Sequence, residues 1–218
     1  MDTQDVVITP VGLPGLLTVP PGAQAIVVFA HGSGSSRFSP RNTQVAKGLQ
    51  DAGLATLLFD LLTGEEGADR AKVFDIGLLA ERLILASRWL RDHHDARALR
   101  QGYFGASTGA AAALVAAAEA GPEIDAVVSR GGRPDLAEAA LPRVTASTLL
   151  IVGERDPAVL DLNRMALERL GGPPGAHDLR IIAKATHLFE EPGALEAVIE
   201  EAREWFSSHL LEQGGRKG

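Results

Sequence analysis

The order of segments in this sequence predicts an α/β architecture: one doubly wound, mostly parallel sheet with helices on both faces. Three observations carry that expectation. Short runs of Val, Leu, Ile and Ala lack polar alternation, as strands covered on both faces do; helical apolar periods fall between them; and small-residue loops follow the strand ends. With 218 residues, 45% hydrophobic and 22% charged, the chain fits one packed domain spanning 1–218, with a frayed tail expected at 213–218.

Charge and composition narrow the partners. The net charge is -7 and the 21 Lys and Arg are scattered instead of massed, which argues against nucleic acid. The absence of cysteine removes disulfides and thiolate chemistry together. Met1-Asp2-Thr3-Gln4-Asp5 carries acid where a secretory signal needs base, and no apolar run reaches the length of a membrane span. A soluble, cytoplasmic protein without a membrane partner is expected, and the oligomeric state is left open.

Asp5 to Thr9 and Leu16 to Val19 read as an opening hairpin around Pro10 and the turn signal Leu13-Pro14-Gly15. Ala25 to Ala30 is a continuous apolar run and a buried strand, ending in His31-Gly32-Ser33-Gly34-Ser35-Ser36. Ser39-Pro40 then caps a helix with Val45, Leu49 and Ala52 at helical spacing before Gly53. Ala55 to Leu61 is a second strand, and Thr63 to Arg70 reads as an irregular surface loop. From Asp75 to about Arg91 one face carries Leu79, Leu83, Ala86 and Leu90, a long amphipathic helix ending in a solvated His93-His94 pair.

Arg100 to Phe104 can form a short buried strand, followed by the alanine-rich helix that stops at Gly121-Pro122. Ala126 to Ser129 is the next strand and opens into Arg130-Gly131-Gly132-Arg133-Pro134. Thr148 to Val152 ends in Gly153-Glu154-Arg155-Asp156-Pro157 and gives way to a helix running to Leu170. Leu179 to Ile182 is the last strand, with His177 just before it. After Lys184-Ala185-Thr186-His187-Leu188-Phe189, a helix from about Gly193 carries the stripe Leu195, Val198, Ile199, Ala202, Phe206 and Leu210.

Between the strand ending near Phe104 and its helix lies Gly105-Ala106-Ser107-Thr108-Gly109, a G-x-S-x-G. In such an elbow the serine takes a strained turn that lifts its hydroxyl clear of the sheet. With 24 glycines in the chain, composition alone could supply the pentapeptide, so its context matters more than its letters. In doubly wound sheets ligands sit beyond the carboxyl ends of the strands, and Ser107, His31 to Ser36, Arg130, Asp156 and His187 all follow strands.

A serine hydroxyl needs a neighbouring base to attack a carbonyl, and His187 follows the last strand, where a loop can bring it over the elbow. A carboxylate that fixes the imidazole tautomer completes the set, and Asp156 is placed for it. The chain order is Ser, Asp, His. The backbone N–H of Thr108, at the start of the elbow helix, and that of Ser33 are the expected oxyanion donors. His31 reads better as a loop-shaping residue than as a participant. Taken singly, Asp156 could simply cap a helix and His187 could be a surface loop histidine.

F-A-H-G-S-G-S-S, F-G-A-S-T-G, V-S-R-G-G-R-P-D-L, L-I-V-G-E-R-D and A-T-H-L-F together resemble the α/β-hydrolase superfamily, in particular its small dienelactone hydrolase-like branch, over roughly residues 15 to 210. The resemblance implies about eight strands, no sizeable lid, no cofactor or metal, and Ser107, Asp156 and His187 as the triad. Dienelactone hydrolase itself uses a cysteine nucleophile where this chain has Ser107. The resemblance therefore implies the reaction class more than the substrate.

The expected function is a serine esterase or lactonase acting on a small ester, thioester or lactone through an acyl-enzyme. Arg130, Arg133 and Arg37, on or beside the rim, could hold an acidic substrate group or make structural ion pairs. The rival is a hydrolase-shaped binding or regulatory module without turnover. Reading Gly32-Ser33-Gly34 as a nucleotide phosphate loop fails on its missing third glycine and missing Gly-Lys-Ser/Thr.

Overall fold

The run Ala25–Ala30 is buried at every position and forms strand β3, which lies inside an eight-stranded sheet in a computed structural model that describes residues 2–211. The strands are β1 (Thr3–Ile8), β2 (Leu13–Thr18), β3, β4 (Ala55–Phe59), β5 (Arg100–Ala106), β6 (Ala126–Arg130), β7 (Ser147–Gly153) and β8 (His177–Ile182). Their order is β1-β2-β4-β3-β5-β6-β7-β8. β1 pairs antiparallel with β2 and β2 antiparallel with β4, while every pair from β4 through β8 is parallel. This is the α/β-hydrolase fold anticipated from the sequence.

Helices cover both faces. One apolar cluster joins one side of the sheet to α4 (Ile76–Asp92) and α5 (Thr108–Ala120) through Leu79, Leu83, Leu90 and Leu114. The opposite cluster joins Phe29, Phe104 and Val128 to α1 (Pro40–Asp51) and α7 (Ala194–Phe206) through Val45, Leu49, Val198 and Phe206. Burial of nine of the thirteen residues of α5 explains its composition, because alanine lets a helix lie close against the sheet and against α4.

The expectations fail where local chemistry outweighs periodicity. The opening hairpin exists, but its turn is the segment 9–12, with Gly12 at φ 86°, and Leu13-Pro14-Gly15 lies inside β2. Pro14 is tolerated near the start of that strand. Thr63 to Arg70 is not irregular: it holds the short helix α2 (Gly64–Ala68), and a second, α3 (Arg70–Val73), begins at its last residue. They are fixed by polar caps and have no buried residue of their own. Thr63 and Glu66 form a reciprocal capping box, Asp69 Oδ1 accepts from Ala71 N–H, and Arg82 of α4 holds Glu66 at 2.8 Å. β8 begins at His177, earlier than expected, because the His177 ring accepts the Thr148 N–H. The helix after Asp156, α6 (Pro157–Leu167), stops three residues short of Leu170. The expected tail at 213–218 lies outside the described residues.

Candidate active site

Ser107 separates β5 from α5 and has φ 53°, ψ −120°, a strained backbone for a residue with a Cβ. Two glycines make that turn sterically feasible. A Cβ on Gly105 would lie 2.4 Å from Ala110 Cα, and one on Gly109 would lie 2.3 Å from the Ala30 carbonyl oxygen, so only hydrogen fits at either place. Neighbouring loops hold the turn. The Ser107 N–H donates to the Arg130 carbonyl at 3.2 Å, and the Ser107 carbonyl accepts from Arg133 N–H at 3.2 Å.

Asp156 stands at the N-cap of α6, but its side chain makes no capping hydrogen bond. Its carboxylate instead accepts from His187 Nδ1 at 2.7 Å, which places that ring's proton on Nδ1 and leaves Nε2 bare. His187 and Ser107 line one cavity of about 260 Å³, shared with Gly32, Ser33, Arg41 and Arg130. The histidine loop is held from both ends. Lys184 and Phe189 have φ of 61° and 55° on either side of His187. Glu154 accepts the Lys184 N–H at 2.7 Å, and both oxygens of Glu191 accept the Thr186 N–H at 3.1 Å. That backbone donor holds the Glu191 carboxyl below the usual carboxylate range. Glu154 sits inside the L-I-V-G-E-R-D motif but was given no role there, and Glu191 carries no periodic or motif signal, so sequence reasoning assigned neither.

Across the elbow, the loop after β3 is clamped by His31. Its Nε2 accepts the Leu61 N–H at 3.1 Å, which leaves Nδ1 to donate to the Gly32 carbonyl at 3.0 Å. Both ring nitrogens are thus used within the loop, and burial pushes the imidazole pKa down. His31 shapes this loop and, of the two substrate-facing roles open to it, has no place in the lining of the cavity that holds Ser107. Ser33 N–H donates to Thr108 Oγ1 at 2.9 Å, tying the loop to the first residue of α5. The Thr108 N–H, in the first turn of α5, has no preceding helical carbonyl to serve it.

The three arginines divide. Arg37 N–H donates to Asp60 at 2.7 Å and its guanidinium pairs with the same carboxylate, so it is a structural ion pair and is withdrawn from the substrate contacts. Arg133 makes a bidentate pair with Asp135 at 2.8 and 2.7 Å. Arg130 is different. It is 9% exposed, its Nε and Nη1 are buried without a hydrogen-bond partner, and no carboxylate pairs with it among the described residues. Burial, with repulsion from Arg41 second, lowers its pKa to about 10. Arg41 faces the same cavity from the first turn of α1, where the sequence had been read only as a helix start. His93, His94 and Asp95 bring three metal-type donor atoms within 4.8 Å of one another, remote from this cavity in its lining.

Comparison with known proteins places this geometry in a lineage. The model of the dienelactone hydrolase family matches residues 13–210. The chain belongs to that family of hydrolases. A dienelactone hydrolase crystal structure from Anabaena variabilis is 56% identical, with a TM-score of 0.90 over 96% of this chain and 100% of the other. Est1E from Butyrivibrio proteoclasticus shares the fold at a TM-score of 0.80 and 15% identity, over 97% of this chain and 100% of that one. Mycobacterium tuberculosis proteins named "Putative phosphoribosyl transferase" are 58% identical over 209 residues, 96% of this chain and 46% of theirs. The chain therefore spans just under half the length of those curated relatives. No helix among the described residues is long and apolar enough to cross a membrane.

Proposed function

We propose that this family member is a serine hydrolase that cleaves a small ester, thioester or lactone through an acyl-enzyme on Ser107. The observation that carries the reading is a serine on a strained elbow, facing the same cavity as a histidine whose Nδ1–H is held by Asp156 at 2.7 Å. His187 Nε2 takes the hydroxyl proton as Ser107 Oγ bonds to the carbonyl carbon, and Asp156 stabilises the imidazolium. The oxyanion is received by the Thr108 N–H. It also competes with the Thr108 hydroxyl for the Ser33 N–H, since an anion is the stronger acceptor. His187 then protonates the departing alcohol or thiol. Water, activated by the same histidine, releases the acid and restores Ser107.

An acidic group on the substrate sits against Arg130, with Arg41 in the place the sequence had given to Arg37. A guanidinium this deeply buried costs several kcal/mol unless it is paired, and the cavity is where a carboxylate or phosphate can pair it. The transferase name belongs to longer proteins, and the elbow serine with its histidine favours acyl transfer to water. Treatment with a fluorophosphonate is expected to add one label, at Ser107, in the intact mass spectrum. Protein that stays unlabelled would sink the reading. Equal, near-background cleavage of p-nitrophenyl acetate and butyrate by wild type and Ser107→Ala would favour a binding module instead.

A further inference from the structure

The loop after β3 has a cavity on each side. Opposite the one that holds Ser107 lies a second of about 260 Å³, lined by Leu61, Leu62, Val73 and Leu79 and bordered by Gly64 and Gly67. Leu61 and Leu62 follow β4, Leu79 belongs to α4, and the short capped helices α2 and α3 close the remaining side. The two cavities have Gly32, Ser33 and Ser35 in common, so the wall between them carries no side chain larger than a hydroxymethyl. Ser33, whose N–H is a proposed oxyanion donor, lines both cavities, so a carbonyl held there stands at the border between them.

The two sides differ in what they ask of a ligand. At the edge of the second cavity, His31 is satisfied by the Leu61 N–H and the Gly32 carbonyl, and Asp60 by the backbone and guanidinium of Arg37. No charge there is left uncompensated, and apart from Ser33, Ser35 and Ser36 of the dividing loop the remaining lining is glycine and aliphatic side chains. On the serine side, Arg130 Nε and Nη1 have no hydrogen-bond partner and, among the described residues, no carboxylate pairs with the guanidinium, which lies 5.9 Å from the Phe189 ring centroid. We infer that the second cavity receives the uncharged, apolar substituent of the ester while the acidic substituent lies against Arg130. The substrate class is then a mixed ester or thioester, charged on one side of the scissile carbonyl and alkyl or aryl on the other. The volume corresponds to roughly nine waters of liquid, which suits a group of about butyl to hexyl size. This inference rests on the hydrolase reading of Ser107.

Monoalkyl succinates with methyl, butyl and octyl groups test it by kcat/KM. Each methylene buried is worth roughly three- to fourfold, so wild type is expected to prefer butyl over methyl by at least about tenfold, with little further gain at octyl. Leu62→Trp and, as an independent variant, Val73→Trp are expected to bring the butyl-to-methyl ratio to about one. A wild type indifferent to chain length, or a preference unchanged in both variants, overturns the inference. A second measurement needs no turnover. Titrating Ser107→Ala protein with butanol should shift the methyl resonances of Leu61, Leu62, Val73 and Leu79; shifts confined to other methyls overturn the assignment. Full turnover by Ser107→Ala would instead overturn the hydrolase reading, so the two failures are separable.

Discussion

Arg37 and Arg130 lie on the same rim of one sheet, yet the protein treats their charges in opposite ways. Arg37 is bound to Asp60 through both backbone and guanidinium, and with His31 it makes the loop after β3 a closed polar unit. Arg130 is more deeply buried and, among the described residues, has no carboxylate partner in the cavity beside Ser107, which Arg41, paired with Glu190 at 3.3 Å, also lines. A buried charge that the protein compensates is part of the scaffold. One that it does not compensate is, on the function proposed above, held for an anionic group of the substrate in the cavity beside Ser107.

The largest effect expected is at the chemistry that this contrast surrounds. Ser107→Ala should lower ester hydrolysis by roughly 10⁴-fold or more, read from kcat with p-nitrophenyl esters. The arginines come next and test the contrast directly. Arg130→Gln should cut kcat/KM on carboxylate-bearing esters about 10- to 100-fold with much less loss on neutral ones. It should also leave the fold as stable or more so in urea, because an uncompensated buried charge is removed. Arg37→Gln should do the reverse: charge preference stays, and stability falls by about 1 kcal/mol as Asp60 loses its partner. Matching behaviour of the two variants would dissolve the contrast.

Glu191→Ala is expected to lower kcat by about tenfold with little change in KM, since it loosens the loop that carries His187 without touching substrate. Glu191→Gln, which keeps an acceptor for the Thr186 N–H, should recover part of that loss. The smallest effect concerns His31, whose burial depresses its folded pKa below 6.5. The unfolded chain then binds the proton more readily, so this group's contribution to stability is intact above pH 6.5. It declines as pH falls from there toward the folded pKa, by at most about 1.4 kcal/mol per pH unit. Urea unfolding at pH 7.5 and 5.5 should show a smaller drop for His31→Asn than for wild type.

Much of this architecture could be read from pattern alone, for a physical reason. A strand buried on both faces must be apolar throughout, as Ala25–Ala30 is, and a helix pressed against sheet and helix must be small-sided, as Thr108–Ala120 is. The serine elbow was legible because glycine is the only residue that fits at Gly105 and Gly109. Elements fixed by single hydrogen bonds left no such trace. Helices α2 and α3 exist through the Thr63–Glu66 box and the Asp69 cap, so a search for apolar periods sees only a loop. The same holds for Glu154 and Glu191, whose role beneath the histidine loop arises only when folding brings them to the Lys184 and Thr186 N–H groups.

By itself the sequence determined the parallel sheet, its helices, the position of Ser107 at a strand's end, and the order in which Asp156 and His187 follow. Only the tertiary structure decided which of three arginines lacks a carboxylate partner among the described residues, because an ion pair depends on where distant acids fall, and Asp60 reaches Arg37 while none of the described acids pairs with Arg130. It also decided that the loop after β3 divides two cavities of unlike character, one charged and one aliphatic, since a cavity is bounded by residues that meet only when β4, α4 and the short helices close around it.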